Sequence, residues 1–295
     1  MPSRNPIIRF GFTLVELLVV IGIIALLVAI LLPTLSAARE TAGRVKSLAG
    51  VREMVTGYTA YHQEHGGSLM WGYTPPTVNG TAVTVEDPVT GLTFGLPVAD
   101  RYPWRLAPYV SDVWEIIHIH KTTPDRPFAS DPFGTAFSKA YILSLDPAFG
   151  LNSVYLGGHQ GSLFRGFTGA DNRPNVGKHI AFQASEIRRS SQQLVFAETI
   201  QYNAGGLGST SRDGERPGLF YATPPRANGQ RWTVDDNGDF EITSGVITGL
   251  PEGRNGDRAA VSFFDGHAEA LLPAELEDMR LWAPKADGFE YDFVP

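Results

Sequence analysis

The stretch Leu14–Leu32, LVELLVVIGIIALLVAILL, constrains this chain more than any other. It is nineteen residues long and has one ionisable side chain, Glu16. As a helix rising 1.5 Å per residue it is about 29 Å long, close to the hydrocarbon thickness of a bilayer. Nothing else in the 295 residues approaches it, so the reading is one transmembrane helix surrounded by membrane lipid. Arg4 and Arg9 stand before Phe12 and no acid does. Positive charge stays on the cytoplasmic side, which predicts a single pass with the N-terminus inside and the C-terminal bulk outside.

Composition narrows the rest. The net charge of -7 argues against a nucleic-acid partner. With no cysteine there is no disulfide framework, thiol nucleophile or cysteine zinc site. The 32 glycines and 21 prolines, mostly beyond residue 66, predict a head rich in turns.

Glu16 is the residue that needs a reason. A carboxylate left alone in a membrane helix costs up to roughly 2.5–3.5 kcal/mol, less near the ends. One reading keeps it hydrated near the headgroups. The other gives it a cation inside the apolar zone, which a cut ahead of Phe12 would supply as a new α-amino group. A buried ion pair needs both members, so such a pairing would set docking and register.

Gly11-Phe12-Thr13-Leu14-Val15-Glu16, followed by the apolar run, resembles the cleavage and methylation motif of type IV prepilins, a family that includes pilus subunits and the pseudopilins of type II secretion. The resemblance implies that a prepilin peptidase cuts between Gly11 and Phe12 and that the new amine of Phe12 is methylated. It also implies that Glu16 neutralises that amine in the adjacent subunit, and that Pro33 falls where the family often kinks its helix. Implied with these are a place in the cell inner membrane and three sets of partners: other pilin or pseudopilin subunits, the peptidase, and an inner-membrane assembly platform. A competing reading of the same segment is a secretory signal cut after Ser36-Ala37-Ala38. Its apolar core is longer than the usual 7–15 residues, and it gives Glu16 no role.

Beyond Pro33 the pattern turns amphipathic. Leu35, Ala38, Ala42, Val45, Leu48, Val51, Val55, Tyr58 and Tyr61 recur at spacings of three and four, and Gly66-Gly67 offers a stop. The expectation is a helix from about Phe12 to His65, broken at Pro33, whose second half needs a sheet to cover it. Candidate strands are Thr81–Val85, Trp114–His120 and Gln193–Ala197. The clearest hairpin is Ala259–Phe264 and His267–Leu272, joined by Asp265-Gly266 in a tight type I′ turn. Residues 204–257 read mostly as loop. The fold class is therefore α+β, a long N-terminal helix packed on an antiparallel β-sheet head as in pilins. Its parts are a leader (1–11), a transmembrane helix (12–33), an amphipathic helix (34–66) and a periplasmic or extracellular head (67–295). Arg101–Tyr109, Gly150–Ser153 and Phe263–His267 also resemble the large-headed pseudopilin-like proteins of planctomycete and verrucomicrobial type.

Other chemistry is weaker. His118 and His120 would share one face of a strand, which suits a metal, but no third ligand can be named. Asp235, Asn237 and Asp239 form an acidic loop that calcium could use. Phe240 stands where an EF-hand requires glycine, and a solvated turn accounts for the loop. Asp265 and His267 have no G-x-S-x-G context to make them a catalytic pair. Gly205–Thr210 lacks the ending of a phosphate loop. Trp71, Tyr73, Trp104, Tyr109, Trp114 and Trp232 suit a sugar-binding face or core packing. The reading is a filament-forming structural subunit without catalytic residues or a required cofactor. A type II secretion pseudopilin comes first, a type IV pilus subunit second, and a membrane-tethered enzyme or binding module third.

Overall fold

The computed structural model describes residues 14–78, 80–88, 90–111, 116–117, 135–158, 179–201, 217–227, 230–244 and 249–291. It divides into two compact units, Met1–Gly43 and Arg44–Pro295. The first helix, α1, runs Leu14–Glu64 and contributes to both.

In the first unit α1 continues through Pro33, where the sequence predicts a break. Proline takes one N–H out of the ladder. Beside it the Thr34 hydroxyl donates to Leu31 O at 2.9 Å, and Thr41 does the same to Ala37 O at 2.9 Å. Such back-bonding is how hydroxyl side chains settle inside helices.

In the second unit α1 buries Ser47, Gly50, Val51, Met54, Val55, Gly57, Tyr58 and His62. The apolar stripe is therefore correct from Leu48 onward and too long before it: Val45 is 61% exposed and Leu35 49%. The double glycine ends the helix as expected. Gly66 and Gly67 take φ of 62° and 84°, and the Gly67 N–H donates to His62 O at 2.7 Å. This bond, from C″ back to C3, belongs to a Schellman stop.

Two small ladders follow, β1 (Thr77–Val78) with β2 (Thr81–Ala82), and β3 (Val85–Glu86) with β4 (Thr93–Phe94). The expected strand Thr81–Val85 is thus divided between them. Next come α2 (Tyr102–Leu106) and α3 (Thr135–Leu145). In the expected strand Trp114–His120, Ile116 and Ile117 are helical and the other five residues lie outside the described ones.

The central sheet contains β5 (Phe149–Leu151), β6 (Leu194–Glu198), β10 (Ala259–Phe263) and β11 (Ala268–Leu271). Its order is β11-β10-β6-β5, antiparallel throughout. Every residue of β6 and β10 is buried. Apart from Ser262 in β10 and Glu198 at the end of β6, they therefore read as apolar runs, not as an in-out alternation. Tyr58 of α1 meets Phe196 of β6 edge to face at 5.8 Å, so the amphipathic helix does pack on the sheet. From the other side of the chain, α4 (Met279–Trp282) inserts Trp282, whose carbonyl accepts from Asn152 (2.8 Å) and Gln193 (2.8 Å).

Two further features differ from the sequence expectation. The β10–β11 connection is a three-residue loop, Phe264–Gly266. The Gly266 N–H donates to Phe263 O at 2.9 Å and the Phe263 N–H to His267 O at 2.9 Å, with Gly266 left-handed at φ 94°. That is a turn closed by a glycine bulge, not the two-residue type I′ turn. Residues 204–257 also contain a sheet, β7-β8-β9, made of Arg226–Ala227, Gln230–Val234 and Phe240–Ser244. Trp232 organises it: the indole is buried, donates to Thr223 O at 3.0 Å, and meets Phe240 at 5.2 Å.

Candidate assembly surface and polar sites

Leu14–Leu32 presents its apolar side chains outward along the whole run, with Leu14 78% and Leu32 63% exposed. This helix is long and apolar enough to cross a membrane, and none of the apolar window is buried within the protein. Exposing so much contiguous apolar surface to water would be strongly unfavourable. Lipid or like helices are the surroundings that fit it. Glu16 sits in the first turn of α1 and is exposed. A carboxylate there also meets the positive end of the helix dipole. Pro33 lies within the same helix. Gly11 and Phe12, the two residues of the expected cut, lie outside the described residues.

In the head, Asp235, Asn237 and Asp239 form the β8–β9 turn, closed in the same way as β10–β11. The Gly238 N–H donates to Asp235 O at 3.0 Å, the Asp235 N–H to Asp239 O at 2.9 Å, and Gly238 has φ 90°. One Asp235 oxygen accepts from the Asn237 N–H (2.9 Å) and the Asp239 N–H (2.8 Å), the other from the Asn237 amide (3.1 Å). The Asp239 N–H, helped by the others, holds the Asp235 carboxyl below its usual range. These bonds explain the residue choice as turn chemistry. Among the described residues no group of three or more His, Cys, Asp or Glu is placed to hold a metal.

Asp265 and His267 do meet, the Asp265 carboxylate taking both the His267 N–H (3.2 Å) and the ring Nδ1. The His267 ring lies flat on Phe263 at 4.4 Å. The pair stiffens the turn. Of the suggested aromatic face, Trp104 and Trp232 are buried core residues, while Trp71, Tyr73 and Tyr109 are half-buried. His118, His120, Trp114 and Gly205–Thr210 lie outside the described residues.

Two buried charge clusters escape a reading by local pattern. Glu198, at the end of β6 and 1% exposed, accepts from the Ser47 hydroxyl of α1 (3.2 Å) and the Ala260 N–H of β10 (3.4 Å). The second cluster is Asp100, Arg101 and Arg105. Arg105 reaches Asp100 O at 3.3 Å and Gly72 O at 3.4 Å, and burial pushes its guanidinium down to about 10. Arg101 bonds Pro97 O (2.9 Å) and Ser144 Oγ (3.0 Å), and lies over the Tyr141 ring at 4.6 Å. Burial raises the Asp100 carboxyl against a weaker opposing hydrogen bond from Tyr73. Both clusters tie segments of the head together.

Residues 9–32 match the family model described as the prokaryotic N-terminal methylation motif. No curated protein and no solved structure matches the chain. The motif spans the leader's second arginine, Gly11, Phe12, Glu16 and the apolar run, and it marks a prepilin-type, type IV pilin-like N-terminus.

Proposed function

We propose that this protein is a structural subunit of a type IV pilin-like filament, a pseudopilin of type II secretion in the first instance, without catalytic activity of its own. The observation that carries the reading is the coincidence of the methylation motif at residues 9–32 with an outward-facing apolar helix at Leu14–Leu32. Prepilin peptidase cuts between Gly11 and Phe12 and the Phe12 amine is methylated. The mature helix stays in the inner membrane, with the N-terminus cytoplasmic and the head outside, until the assembly platform moves it into the filament. There the helices pack through head-to-tail contacts that propagate and do not close. Glu16 pairs with the Phe12 amine of the neighbouring subunit, because an acid in apolar surroundings is stabilised most by a charge that arrives with the correct register. Pro33 adjusts the helix where it leaves the lipid. A type IV pilus subunit remains the alternative within the same architecture.

Mass spectrometry of the protein recovered from membranes tests the processing. A chain starting at N-methyl-Phe12 is expected. A start after Ala38, or a retained Met1, overturns the proposal. Gly11→Glu is expected to leave the precursor full length in the membrane. Glu16→Leu is expected to insert normally and to be lost from sheared filaments, and wild-type filament yield from that variant would remove Glu16 from the assembly role.

A further inference from the structure

We propose that the contact between the C-terminal end of α1 and the β10–β11 turn is an acid-sensitive latch, with His62 as the group that releases it. His62 is 9% exposed. Its ring stacks on Phe264, at the tip of the turn, at 5.2 Å and 14°, and meets Tyr58 edge-on at 6.1 Å. No ion pair reaches it among the described residues. A neutral imidazole suits such a place. An imidazolium there exchanges water for two rings and gains at most a cation–π contact.

On α1 itself the neighbour is Tyr58, a phenol that burial keeps protonated. From α2, Arg105 acts electrostatically on Tyr58. On the turn, Asp265 and His267 are bonded to each other. Residues 190–193 carry no ionisable side chain, and Arg189 before them donates to Ala286 O. In β6 the single acid is Glu198, whose carboxylate bonds Ser47, about four turns of α1 before His62. Glu64, two residues on in α1, bonds Tyr109, and among the described residues no hydrogen bond or ion pair links a carboxylate to His62.

The turn is built to move as one piece. Its internal closure, Phe263 with His267 and Gly266 with Phe263, is independent of α1. The Asp265–His267 contact is likewise internal to the turn. Two bonds hold it down, from the Phe264 N–H to Gln193 O (2.9 Å) and from the Asp265 N–H to Ser190 O (3.2 Å). Burial holds the His62 imidazole below its ordinary 6.5. Its contribution to docking is therefore complete above about 6.5 and declines as the pH falls through the lower, folded value.

Hydrogen–deuterium exchange of the full chain in detergent micelles reads this directly. Each amide's rate is divided by its pH-corrected intrinsic rate, so that only opening is scored. Between about 6.5 and the folded value, protection of the Phe264 and Asp265 amides, whose bonds tie the turn to residues 190–193, is expected to fall by up to about tenfold per pH unit, the limit for one linked proton, and to level off below it. Protection of the β6 core should hold. His62→Phe is expected to abolish the fall, while His267→Asn retains it. Unchanged protection in the wild type, or the same fall in His62→Phe, overturns the latch. Should His62→Phe not fold, NMR titration of the wild-type ring decides: a value below 6.5 supports the proposal, and a value at or above it refutes it.

Discussion

At the scale of single residues, the least replaceable positions are those whose neighbours come from far along the chain. Gly57 lies in the middle of a helix, where alanine ordinarily stabilises by roughly 0.5–1 kcal/mol. Here a β-carbon would stand 2.4 Å from Val110 Cγ2 and 3.1 Å from Tyr109 O. Gly57→Ala is therefore expected to lose about 1–3 kcal/mol, as overpacked cores do, seen as a lower urea midpoint by tryptophan fluorescence. Stabilisation would mean that the loop carrying Val110 gives way. Glu198→Ala strips the acceptor from Ser47 and the Ala260 N–H in a site that is 1% exposed. Leaving buried donors unpaired costs about 1–3 kcal/mol, so a similar fall is expected, and Glu198→Gln should recover part of it. The sequence marks Val51, Val55 and Tyr58 as core, because spacing along one helix is enough to place them. It marks neither Gly57 nor Glu198, whose roles depend on partners 53 and 151 positions away.

Among the elements, legibility follows how local the determining interaction is. The helix stop at Gly66-Gly67 and the hairpin at Asp265-Gly266 are readable because backbone dihedrals alone decide them. Even there, the loop takes three residues, since β10 and β11 pair Ser262 with Ala268 and leave Phe263 to bond His267. The β8–β9 hairpin has the same closure around Gly238. Its strands escape notice because Trp232 and Phe240 are the apolar anchors of a small sheet that needs the distant Thr223 carbonyl to seat the indole. Gly238 and Gly266 share φ near 90° and have open space where a β-carbon would go, so backbone strain is the main penalty at both. Gly266→Asn is expected to cost little, because asparagine tolerates the left-handed region, and Gly266→Val about 1–2 kcal/mol. The same ranking is expected at Gly238. Chemical denaturation of the four variants checks it, and equal losses for asparagine and valine at either site would show that the turn has changed its closure.

For the whole molecule, solubility and folding separate at the boundary between the two compact units. The apolar surface of Leu14–Leu32 is contiguous and outward-facing, whereas the large exposed apolar residues from Arg44 onward, such as Val78, Leu92 and Phe289, are scattered. Scattered residues of this kind are normal for a soluble surface. The need for a membrane was legible because a nineteen-residue run with a single ionisable side chain requires no tertiary information. The point at which the head begins was not, because apolar spacing continues from Leu35 while burial starts only at Ser47. The head's core nevertheless depends on α1: Val51, Met54, Val55 and Tyr58 are each 0% exposed. Two truncations therefore have opposite outcomes. A chain of residues 44–295 keeps every buried residue of α1 and is expected to elute as a single detergent-free species and to melt cooperatively. A chain of residues 59–295 loses those four side chains, each worth about 1.5–3 kcal/mol of burial. That sum approaches or exceeds the 5–15 kcal/mol that holds an ordinary domain together, so it is expected to aggregate or to give no melting transition. Size-exclusion chromatography and near-ultraviolet circular dichroism distinguish the two. A requirement for detergent by the longer fragment would place part of the membrane-facing surface on the head itself.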